Sequence, residues 1–104
     1  MDKRQAIRIA EEYIKTINNL FSIEKAILFG SFARGNFTDD SDIDIAVVLN
    51  LEGDFFLTQL ELMKLRRNID LRIEPHVFNS NDFTSSDPVA FEILKYGIEI
   101  TAAA

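Results

Sequence analysis

The chain has 104 residues, of which 47% are hydrophobic and 27% charged; its formal net charge is −6 and it has no cysteine. That length suits one domain with a modest core, so oligomerisation, with itself or with another protein, is an expected source of added stability. The absence of cysteine excludes disulfides and thiolate metal sites and is the usage of a cytoplasmic protein, while the acidic excess disfavours direct nucleic-acid binding, which needs Lys and Arg on phosphates.

The same acidic excess suits bound metal ions, a cationic small molecule or a basic protein partner, and it also serves solubility. The N-terminal residues lack the long apolar run of a signal peptide. The longest apolar stretch, Ile45 to Leu49, is too short to span a bilayer.

Residues 5–18 predict an amphipathic helix, because Ile7, Ala10, Ile14 and Ile17 recur at steps of three and four. Residues 24–29 predict a strand whose run from Ala26 to Phe29 is apolar on both faces, as in a covered strand. Gly30-Ser31 ends it, and residues 35–41 have turn composition. Asp42 to Leu49 predicts a second strand, and Phe55 to Arg66 a second long helix with basic residues near its C-terminus. Ile69 to Phe78 alternates and predicts a third strand; Pro75 places it at a sheet edge or an irregularity. Residues 79–88 read as a loop. A last helix spans Pro88 to Tyr96, with Asp87 as N-cap and Gly97 at its end, followed by a small strand over residues 98–100. The terminal residues 101–104, TAAA, carry no structural signal and are expected to fray.

Chemistry concentrates in residues 28–48, LFGSFARGNFTDDSDIDIAVV. Gly30 permits a sharp turn and close approach of a ligand. Ser31 brings a hydroxyl and an N–H to the start of a helical turn, where free N–H groups suit phosphate oxygens. Arg34 can contact a phosphate or pin the loop through a carboxylate. Asp42 and Asp44, two apart on a strand, project to one face. Their repulsion is relieved by a divalent cation such as Mg²⁺, which takes a few carboxylates together with substrate phosphates. Taken singly, a Gly-Ser pair is an ordinary turn and an Asp-Ile-Asp triplet is equally a solvated strand end. Ten residues separate Ser31 from Asp42, enough for a short turn that brings cradle and carboxylates together.

This conjunction, LFGSFARG followed by SDIDIAVV, resembles the signature of the DNA-polymerase-β-like nucleotidyltransferase superfamily, and most closely its minimal nucleotidyltransferase domains. The resemblance implies an α/β (α+β) fold, a small mixed β-sheet flanked by helices. It also implies Mg²⁺-dependent use of ATP or another NTP, with Asp42 and Asp44 as metal ligands and a third carboxylate on a later strand. Glu74 and Asp70 compete for that third place. Regular alternation sets Asp70, Arg72, Glu74 and His76 on one face, so phase does not choose; register with Asp82-Phe83 favours Glu74. His76, the only histidine, is read as structural before catalytic. Minimal members resemble the antitoxin half of two-gene toxin–antitoxin systems, which implies a helical HEPN-type partner adenylylated on a tyrosine. The rival readings are a nucleotidyltransferase subunit acting on a small molecule such as an aminoglycoside, and a catalytically silent binding module.

Overall fold

The structure, a computed structural model, describes residues 1–101; residues 102–104, most of the segment expected to fray, lie outside it. Helix α1 (Lys3–Ile17) starts two residues earlier than its apolar period predicts, because Asp2 and Gln5 form a reciprocal capping box. Strand β1 (Ile23–Phe29) leads into a single helical turn, α2 (Ser31–Arg34), and strand β2 (Ile43–Leu49) follows the loop. Helix α3 (Phe55–Leu65) is capped by Asp54, and strand β3 is Ile73–Asn79. Helix α4 (Pro88–Tyr96) begins at a proline with Asp87 as N-cap, and β4 (Ile98–Glu99) closes the described fold.

The four strands are ordered β3-β2-β1-β4. β1 pairs antiparallel with β2 and with β4, whereas β2 and β3 run parallel, so the sheet is mixed as the resemblance implied. A parallel pair needs a crossover, and α3 supplies it.

The main core lies on one face. Ala6, Ala10, Tyr13, Ile14 and Ile17 of α1 pack there with Leu62 of α3 and with Ile43, Ile45, Val47 and Leu49 of β2. Each fully buried Ile or Leu contributes about 1.5–3 kcal/mol relative to exposure. Tyr13 is buried within this core and its O–H donates to the Leu62 carbonyl at 2.6 Å, tying α1 to α3. Burial pushes its phenol well above the usual pKa. The opposite face carries a smaller cluster of Ile27, Ala46 and Ile93 with Phe29, Phe78 and Phe83 beside it. Beyond that cluster the same face is polar.

β3 starts four residues later than alternation predicts. Asp70 Oδ1 accepts from the Arg72 N–H, and Ile73 N–H donates to the Asp70 carbonyl, so residues 70–72 turn instead of extending. Pro75 is accommodated because β3 is an edge strand. Its carbonyl accepts from Gln59 Nε2 at 2.6 Å, and the Val77 N–H donates to Gln59 Oε1 at 3.0 Å. The outward row of β3 is therefore closed by one glutamine side chain from α3, where proline's missing N–H breaks no ladder bond.

Candidate active site

Asp44 occupies the centre of the polar face. Antiparallel pairing sets it opposite Phe29 at the end of β1, and parallel pairing sets it opposite Glu74 on β3. Side chains in register on neighbouring strands share a face at about 4.8 Å strand spacing. Glu74, rather than Asp70, thus stands beside Asp44. Asp70 lies in the turn before β3, where Arg72 donates to both of its carboxylate oxygens at 2.9 and 2.7 Å. Those hydrogen bonds hold the Asp70 carboxyl below the usual range.

Gly30 lies against the same carboxylate. Its φ of 76° and ψ of −151° fall in a region essentially reserved for glycine. A Cβ there would stand 2.5 Å from Asp44 Oδ2. Close approach and backbone conformation both demand glycine. From Gly30 the chain enters α2, with Arg34 N–H donating to the Gly30 carbonyl and Gly35, at φ 85°, closing the turn. The first N–H groups of this turn have no intrahelical acceptor. Ser31 opens the turn and is half-buried; Phe32 anchors it in the main core and stacks on Phe37 at 4.7 Å.

Each inner acid has a cationic or hydrogen-bonding neighbour. His76 Nε2 is 3.1 Å from Asp44 Oδ1, and the imidazole meets Phe29 edge-on at 5.0 Å. Arg66, just beyond α3, donates to Glu74 Oε1 at 3.2 Å and to the Ile73 carbonyl at 2.8 Å. Asp42 is exposed, immediately before β2. Among the described residues no three His, Cys, Asp or Glu side chains converge as a ready metal cluster. The donor set nevertheless suits a hard cation: Asp44 and Glu74 are in register, both offer oxygen, and the missing side chain of Gly30 makes room for the Asp44 carboxylate itself.

Arg34 takes the second of its two expected roles. It forms an ion pair with Glu92 of α4 and lies over the Tyr96 ring, 6.0 Å from its centroid. A cavity of about 240 Å³ opens there, lined by Phe29, Gly30, Ala33, Arg34, Glu92 and Tyr96 among others.

The sequence profile described as "Polymerase beta, Nucleotidyltransferase" matches residues 11–103. The chain belongs to this nucleotidyltransferase family. The nucleotidyltransferase is 37% identical over 59 residues to a candidate protein adenylyltransferase of Methanocaldococcus jannaschii, a match spanning 55% of this chain and 56% of that protein. A second candidate protein adenylyltransferase of that organism is 26% identical over 102 residues, 92% of this chain and 99% of the other. In three dimensions the nucleotidyltransferase resembles a crystal structure of a candidate nucleotidyltransferase from Sulfolobus solfataricus, with a TM-score of 0.68 and 24% identity, covering 93% of this chain and 80% of that one. It also resembles a chain of a toxin–antitoxin structure with AMP-PNP, with a TM-score of 0.62 and 23% identity over 89% of this chain and 73% of that one. Both structures share its fold.

Periodicity had put His76 and Glu74 on one face. It held no sign that His76 reaches Asp44, since that contact depends on which strand lies beside β3. The Arg66–Glu74 and Arg34–Glu92 pairs likewise carry no local signal in the sequence.

Proposed function

We propose that this nucleotidyltransferase moves AMP from ATP to an acceptor hydroxyl, with Mg²⁺ as cofactor, and that the acceptor is a tyrosine of a helical HEPN-type toxin for which the chain is the antitoxin. The observation that carries the reading is the contact between the Gly30 turn and the Asp44 carboxylate, with Glu74 alongside in register. The acceptor class rests on the relatives named as protein adenylyltransferases, and the partner on the fold shared with a toxin–antitoxin chain.

Asp42, Asp44 and Glu74 would hold the metal, which supplies charge neutralisation at the phosphates when bound. Gly30 gives the triphosphate close access to the backbone, and the N–H groups of α2 and the Ser31 hydroxyl orient its oxygens. Arg34 tethers α2 to α4 and, on release from Glu92, has a phosphate within its chemistry. The acceptor oxygen attacks the α-phosphorus in line as pyrophosphate leaves. Glu74 accepts the acceptor's proton through the oxygen that Arg66 does not engage.

The test is incubation of the chain with α-labelled ATP and the product of the adjacent gene. Label on a tyrosine of that protein is the expected result. No label on that protein, or label only on an aminoglycoside added in a parallel reaction, contradicts the assignment.

A further inference from the structure

Asp44 is held from two sides. Its Oδ2 occupies the space that a Cβ on Gly30 would need, and its Oδ1 is 3.1 Å from His76 Nε2. A carboxylate only accepts, so Nε2 carries the hydrogen of this bond. The imidazole is itself placed. His76 pairs in register with Ala46, two residues from Asp44 along β2, so it reaches Asp44 on the diagonal. Its ring meets Phe29, the residue directly opposite Asp44, edge-on with planes 62° apart. Backbone register and aromatic packing thus aim one N–H at one oxygen of one acid.

We propose that His76 is a positioning residue for nucleotidyl transfer: its Nε2–H fixes Oδ1 of Asp44 so that Oδ2 stays turned toward the Gly30 turn, where cation and phosphate meet. The inference rests on Asp44 being a metal ligand, as proposed above. A short aspartate with one oxygen pinned keeps a single rotamer, and the ordering cost is removed before substrate binds. Free of that bond, the carboxylate spreads over a broad range of χ2 and over other χ1 rotamers, so an oxygen faces the turn only part of the time.

The test compares wild type with His76→Phe, which keeps an aromatic ring against Phe29 without a donor, and His76→Gln, whose amide restores an N–H. The side chain of His76 is 43% exposed, so both substitutions are compatible with folding, and thermal unfolding checks this. Two readouts are taken: Mn²⁺ binding by electron paramagnetic resonance in the absence of nucleotide, and kcat and KM for ATP. His76→Phe is expected to weaken Mn²⁺ binding and lower kcat by about 10–100-fold with little change in KM, and His76→Gln to recover most of both. Equal losses in the two variants, or wild-type Mn²⁺ binding in His76→Phe, overturn the positioning role. Asp44→Asn is the control for the parent reading. If wild type and Asp44→Asn bind Mn²⁺ and turn over alike, Asp44 is no ligand, and both the parent reading and this one fail.

Discussion

The Asp44 carboxylate sits where any side chain on residue 30 would have to go. This contact joins the end of β1 to the start of β2 and sets the Gly30 turn directly against the Asp44 carboxylate. Gly30→Ala therefore meets two penalties, an unfavourable backbone conformation and a clash with Asp44. Strain of this kind costs about 1–3 kcal/mol. Urea unfolding should show that loss, and transfer activity should fall by more than the folded fraction does. A protein of wild-type stability and activity would mean that the turn relaxes freely away from Asp44.

Glu74 and Asp70 separate cleanly by substitution. Glu74→Gln keeps the shape of the side chain but removes the proposed base and ligand, and kcat should fall by about 10²–10⁴-fold. Asp70→Asn should leave turnover near wild type, since Asp70 is committed to Arg72 in the turn before β3. The opposite pattern of losses would reassign the third carboxylate.

Asp70→Asn should instead change the pH dependence of stability. The native Asp70 carboxyl titrates below its ordinary value of 3.8. Its contribution is thus fully present above that value and is lost as pH falls through the lower native one. Asn retains the turn but not the charge. The variant should be less stable than wild type at neutral pH by less than about 1 kcal/mol, because the pair is near the surface. The two unfolding curves should converge in strong acid.

Among the described residues, Gln59 is the sole side chain bridging Pro75 and Val77 on the outer edge of β3. Gln59→Leu leaves a carbonyl and an N–H without those partners at a half-buried edge, a loss of about 1–3 kcal/mol. The bared edge should also favour association through strand pairing, which sedimentation would detect. An unchanged denaturation midpoint would show that water replaces the amide at no cost.

Much of the fold was legible in local pattern. Helix phase in α1, the apolar run of β2, and the Asp87-Pro88 cap each reflect physics confined to one turn or one strand. Pro75 pointed to an edge or an irregularity in β3, and β3 lies at the edge. The beginning of β3 was not readable, because Asp70 closes a turn through its own side chain and breaks an alternation that continues in the sequence. Within the site, the closeness of Asp44 to the Gly30 turn was legible from spacing, whereas Asp42 stands exposed just before β2. The Arg34–Glu92 tether and the His76–Asp44 bond were not legible, because each depends on which elements lie side by side.

On the proposed function, Asp44 organises the reacting phosphates beside Gly30. The most direct measurement of that role is nucleotide transfer from labelled ATP by Asp44→Asn, with circular dichroism on the same sample. A folded protein in which transfer is lost by more than about 100-fold is expected, a larger loss than follows from replacing a residue that only supports a metal ligand. Transfer at the wild-type rate would contradict that role.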